Sequence, residues 1–133
     1  MSRSFVVRLG AFMHHKNILL LARTSRFIER MRELKHALDV SILPTTPETF
    51  SQAISSGHDF DLVILDMDGL SQDTLAEVDS YVSDNGFIPT LSIQDESKLS
   101  SLRMPAQGRN DFILASAGEA EFEVRCALLL WPG

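Results

Sequence analysis

The chain is short of cysteine. Cys126 is the only one in 133 residues, so no disulfide can form within it. That suits a reducing compartment, and a cytoplasmic location is expected. One cysteine and four scattered histidines (His14, His15, His36 and His58) cannot assemble a zinc site, and neither a metal nor another cofactor is expected. The histidines lack a paired constellation, so each reads as a surface or packing residue. Positive charge is also scarce: 12 Lys and Arg stand against 18 Asp and Glu, a net charge of −6. Gripping a phosphate backbone needs clustered Lys and Arg, so contact with DNA is expected only through a C-terminal domain outside this chain. No run reaches the ~18 apolar residues of a membrane span, and no membrane partner is expected. The opening MSRSFVVRLGAF has a basic start and an apolar stretch. Arg8 interrupts that stretch and no small-residue cleavage site follows, so a signal peptide is not expected. There is no internal repeat and no low-complexity tract. The segment ARTSR, after the first apolar run, has no glycine, which removes the usual phosphate cradle of nucleotide and flavin binders.

What is present fits one globular domain. Hydrophobic residues make up 44% and charged residues 23%. A chain of this size buries roughly two thirds of its unfolded surface without staples. Residues 1–15 read as an N-terminal extension and residues 16–133 as the domain.

Short apolar runs alternate with helical patterns, the signature of βαβ units around a parallel sheet. Ile18 to Leu21 is a continuous apolar run, as in a strand buried on both faces. Thr24 or Ser25 is placed to cap a helix bearing Phe27, Ile28, Met31, Leu34 and Leu38 at helical spacing. Val40 to Leu43 reads as a second strand stopped by Pro44. Thr46 and Pro47 open a helix with Phe50, Ala53 and Ile54 on its apolar face, ended by Gly57. Leu62 to Leu65 is the clearest buried strand and runs into Asp66. Leu75, Val78 and Val82 mark the next helix, and Asn85-Gly86 a turn. Phe87 to Ile93 reads as a fourth strand, 96–104 as a short helix, and Phe112 to Leu114 as a fifth strand. Glu119 to Trp131 reads as a last helix, with Phe122, Cys126, Leu129 and Leu130 on one face. Leu128 and Trp131 belong either to the core or to an interface. Five strands and five helices with right-handed crossovers make a doubly wound α/β sheet. In such sheets function gathers at the carboxyl ends of the strands, where Asp66 lies.

This layout resembles the receiver domain of bacterial response regulators over residues 16–131. FDLVILDMDG is similar to the receiver segment that ends in the phospho-accepting aspartate, which gives Asp66 that position. GRNDFILASAGEAEFEVRCALL is similar to the last strand and helix of OmpR-type receivers. Within that group the chain most resembles the atypical receivers of actinobacterial nitrogen-assimilation regulators. The resemblance implies a five-stranded parallel sheet in the flavodoxin/CheY-like order 2-1-3-4-5. It also implies a regulatory and homodimerising domain of a DNA-binding transcriptional regulator in a two-component system.

The departures from the receiver pattern shape that expectation. Ala22 and Arg23 stand where receivers hold Mg²⁺ with two acidic residues. Gln94, with Ser92 two residues earlier, stands where a Thr or Ser contacts the phosphoryl group. Ala115 and Ser116 replace a Lys and a Pro, and Phe112 at the aromatic switch position has no hydroxyl. Phosphoryl transfer to a carboxylate rests on positioning and charge neutralisation, and the groups that supply these are missing. No enzymatic activity and no phosphorylation of Asp66 are therefore expected. Adjacent first and third strands would bring Arg23 beside Asp66 as a substitute cation, with Thr24 donating a further hydrogen bond. By the same resemblance Lys98, Arg103, Asp111 and Arg125 fall on the dimerising face of the fourth helix, fifth strand and fifth helix. There Asp111 is expected to pair with Arg125 of the other subunit.

A rival reading comes from VILDMDGLS, which also resembles the first motif of haloacid-dehalogenase phosphatases. Asp66 would then be a nucleophile and Asp68 an acid/base, with Mg²⁺ between them. The context is poor, because two strands precede the motif and no later strand ends in an acidic pair.

Overall fold

A computed structural model describes residues 14–101 and 109–132. Five strands form one parallel sheet: β1 (Lys16–Leu21), β2 (Val40–Thr45), β3 (Leu62–Asp66), β4 (Thr90–Gln94) and β5 (Asn110–Leu114). Four α-helices are described: α1 (Ile28–Ala37), α2 (Phe50–Ile54), α3 (Gln72–Asp84) and α4 (Glu119–Leu130). The strand order is β2-β1-β3-β4-β5, as the resemblance implied. From β1 the chain moves outward to β2, then returns past β1 to β3. The winding therefore reverses between β1 and β3, and a crevice opens there at the carboxyl ends of the strands.

Alternation along the strands divides the core in two. Ile18, Leu20, Leu62, Ile64, Leu91, Ile93 and Ile113 face α1 and α4, where Met31, Leu34, Phe122 and Cys126 pack on them. Leu19, Leu21, Val63 and Leu65 face the other way, against Phe50, Val78 and Val82. The central strand β3 is buried at every residue, which is why its sequence is apolar without alternation.

Several boundaries differ from the sequence reading. Thr24 and Ser25 do not cap α1 with their side chains. Residues 24–27 form a turn in which the Ile28 amide donates to the Ser25 carbonyl, and the cap position falls to Phe27. Pro44 does not stop β2, which runs on to Thr45. β2 is an edge strand, where a residue without an N–H is tolerated. α2 begins at Phe50, three residues after Pro47, because residues 46–49 close a turn of their own from the Thr49 amide to the Thr46 carbonyl. The fourth strand begins at Thr90, not Phe87. Phe87 lies in the left-handed region (φ 59°), and residues 85–88 wrap the end of α3 with three amides on the Val82 carbonyl. β5 starts two residues before Phe112, and α4 ends one residue before Trp131. In place of a fifth α-helix at 96–104 there is a 3-10 turn at Glu96–Ser101, and 102–104 lie outside the described residues. Of the expected extension, only His14 and His15 are described.

His15 is not an idle surface histidine. Its Nδ1 lies 2.7 Å from Asp39 Oδ1 and its Nε2 2.8 Å from Ser41 Oγ, fastening the entry to β1 onto β2. Trp131 Nε1 donates to the His14 carbonyl at 3.3 Å, tying the end of α4 to the same place. Among the described residues no helix is long and apolar enough to cross a membrane.

Cys126 is fully buried on the inner face of α4, and burial pushes its thiol up to about 12. The thiol is therefore expected to resist a disulfide reagent at pH 8 in the native protein and to react on unfolding. Because the folded thiol stays protonated where the unfolded one ionises, this group lowers stability as pH rises from about 8.5 toward its folded value. Rapid labelling of the native protein would contradict the placement. Phe122→Ala, which empties a site 1% exposed, is expected to cost about 3–5 kcal/mol in urea unfolding.

Candidate functional site

Asp66 ends β3 at the crevice between β1 and β3. It is 1% exposed, so its carboxylate must be neutralised and hydrogen-bonded within the protein. Arg26 does this. Its Nε donates to Asp66 Oδ2 at 2.9 Å and its Nη2 to Oδ1 at 2.7 Å, a bidentate fork. The Asp68 amide adds a third bond to Oδ1 at 3.2 Å. Arg26 also reaches Asp95 after β4, with two longer contacts of 3.4 Å. Its guanidinium lies 4.7 Å from the centre of the Phe27 ring. The hydrogen bond to Asp66 raises the Arg26 pKa above its ordinary value, partly opposed by burial. The guanidinium thus stays charged at every pH the fold tolerates.

Arg23, expected as the partner of Asp66, is not the partner. Strand alternation explains why. Leu62, Ile64 and Asp66 share one face, and the register sets Leu21 beside Leu65. Ala22 therefore follows beside Asp66, and Arg23 turns to the opposite face. There its Nη2 lies 3.9 Å from Glu48 Oε1, a loose surface contact. Its stem crosses Gly69: a Cβ built on Gly69 would lie 2.8 Å from Arg23 Cδ, and φ is +75°. The glycine of the DMDG segment thus makes room for an arginine. Thr24 does not bond to Asp66 either; its Oγ1 accepts from the Arg26 amide at 3.5 Å. The turn at 24–27 swings the chain back to the α1 side and delivers Arg26 to Asp66. Ala22 and Ser25-Arg26 gave no sequence signal for this, because the turn geometry was not legible.

The other positions singled out in the sequence, 92, 94, 115 and 116, form no common cluster with Asp66. Ala115 donates its amide to the Gln94 carbonyl at 2.8 Å and packs at the core margin. Ser116 Oγ donates to Glu96 Oε1 at 2.8 Å. Ser92 and Gln94 are buried on the face opposite Asp66, since Asp66 pairs with Ile93 in the register. Ser92 Oγ and Gln94 Nε2 have no hydrogen-bond partner among the described residues. Asp68, the acid/base of the phosphatase reading, faces Lys98 Nζ at 3.5 Å. Among the described residues no three His, Cys, Asp or Glu side chains gather so as to hold a metal ion.

The expected dimer face is partly visible. Asp111 on β5 and Arg125 on α4, expected to pair across two subunits, pair within this single chain, Nη1 to Oδ2 at 2.8 Å. The two residues sit side by side on adjoining elements. Arg125 is also 3.6 Å from Glu121. Lys98 is exposed on the 3-10 turn, and Arg103 lies outside the described residues. Beside the Asp111–Arg125 pair, Val124 (48% exposed) and Leu128 (63%) point outward from α4. Trp131 is only half-buried and packs against the core, so the two large residues near the chain end have different roles.

No family model matches the chain, and no curated protein matches it. Solved structures do. One is the N-terminal domain of a response regulator/sensory box/GGDEF three-domain protein from Carboxydothermus hydrogenoformans, with a TM-score of 0.69 and 14% identity. That match covers 86% of this chain and 94% of the other. Another is a chain fused to a yeast Spc42 trimeric coiled-coil segment, with a TM-score of 0.64 and 17% identity, covering 90% of this chain and 80% of the other. At such identities the likeness concerns the fold. The chain has a CheY-like receiver fold, with an arginine–aspartate pair at the carboxyl end of its third strand.

Proposed function

We propose that this chain is a receiver-like regulatory domain that works without phosphorylation and without catalysis, through association with a second copy. The observation that carries the reading is the bidentate bond from Arg26 to Asp66. In a phosphorylated receiver the aspartate must be open to a phosphoryl donor and to Mg²⁺. Here both carboxylate oxygens accept from a resident cation, and the Asp68 amide takes a further site. The site supplies its own positive charge and is satisfied as it stands. The same geometry disfavours the phosphatase reading, in which Asp66 would need a free oxygen for attack.

Association is supported by Val124 and Leu128, one helical turn apart and exposed beside the Asp111–Arg125–Glu121 charges. A two-fold axis through this face would bring the apolar pair onto its own copy. It would also let Asp111 and Arg125 exchange or share partners across the interface, fixing register more than affinity. On the resemblance, the domain would serve a cytoplasmic transcriptional regulator whose DNA contacts lie outside this chain.

Three outcomes test the reading. Molar mass by light scattering is expected to indicate a dimer that ignores Mg²⁺ with beryllofluoride, while Leu128→Glu gives a monomer. A monomer that dimerises only with the phosphoryl mimic would restore Asp66 as a working acceptor. Arg26→Ala is expected to destabilise by about 2–3 kcal/mol, the lower range for a broken ion pair because the Arg26 side chain is 34% exposed. Asp66→Ala is expected to cost less, since the released arginine can reach water whereas a stranded Asp66 cannot. Urea unfolding of both variants measures the difference, and equal costs would argue against a buried, locked carboxylate.

A further inference from the structure

A groove of about 540 Å³ runs between the end of α2 and the outer side of α3. Its apolar lining is Ile54, Ala76 and Tyr81, and its rim is Asp73, Glu77 and Asp84. None of these three acids forms an ion pair with a described residue, and α3, QDTLAEVDSYVSD, contains no Lys or Arg. An apolar floor under an unrelieved negative rim suits a segment that is apolar and basic at once.

We propose that the occupant is the chain's own N-terminal segment, residues 1–13. Its sequence, MSRSFVVRLGAFM, has Phe5, Val6, Val7, Leu9 and Phe12 for the floor and Arg3 and Arg8 for the rim, with no Asp or Glu. The path is short. Asn85 lines both the foot of the groove and a neighbouring recess lined by Lys16, so β1 begins next to the groove's lower end. The groove follows α3, whose 13 residues span about 20 Å, and 13 extended residues reach up to about 45 Å. Tethering makes the encounter intramolecular, so even weak contacts keep the groove filled. Docking there covers the face opposite α4 and leaves Val124 and Leu128 open.

Trypsin cleavage after Arg8 in the full chain, compared with a synthetic peptide of residues 1–13, tests this. Cleavage in the full chain is expected to be at least about tenfold slower, since a docked segment is cut only from its open form. Joint Glu77→Gln and Asp84→Asn substitution, or Ala76→Arg alone, is expected to remove most of that protection without changing the melting temperature. Cleavage as fast as in the peptide overturns the proposal, as does protection that survives these substitutions. Protection lost on about hundredfold dilution would assign the groove to a second copy's segment and overturn the intrachain form.

Discussion

The structure around the crevice is organised by one requirement: a carboxylate at the end of a fully buried strand must be neutralised. Asp66 meets it through Arg26, and the neighbouring geometry follows. The turn at 24–27 replaces a capped helix start so that the arginine can return to the crevice. Asp95 and Phe27 hold the guanidinium from its other sides, and the Asp68 amide takes a third acceptor site of the carboxylate. A third of the arginine side chain stays in water, so the pair escapes part of the desolvation cost of a fully buried one.

That arrangement also links the ends of four strands. Arg26, after β1, touches Asp66 on β3 and Asp95 after β4. Ser116, after β5, touches Glu96, and Asp68, after β3, faces Lys98. Each contact is modest, and those at the surface weaken with salt. Together they tether the 3-10 turn at its first residues.

The two outer faces of the sheet are chemically unlike. On the α4 side, exposed Val124 and Leu128 adjoin an internally paired charge cluster. On the α3 side, Asp73, Glu77 and Asp84 form no ion pair with a described residue and border an apolar groove. The net charge of −6 conceals this division.

The sequence by itself determined the strands and the core, because buried parallel strands demand unbroken apolar runs and the helices carry their faces at fixed spacing; the order of the strands came only from the resemblance to receivers. It also marked Asp66, an acid at the end of such a run. Only the tertiary structure decided which cation meets that acid. Arg23 is nearer along the chain to the end of β1, but strand alternation sends it to the wrong face, over Gly69. Arg26 arrives by a turn whose shape no local pattern announced. The tertiary structure likewise decided that Asp111 and Arg125 meet within one chain, since the spacing of β5 and α4 is set by packing and not by sequence separation.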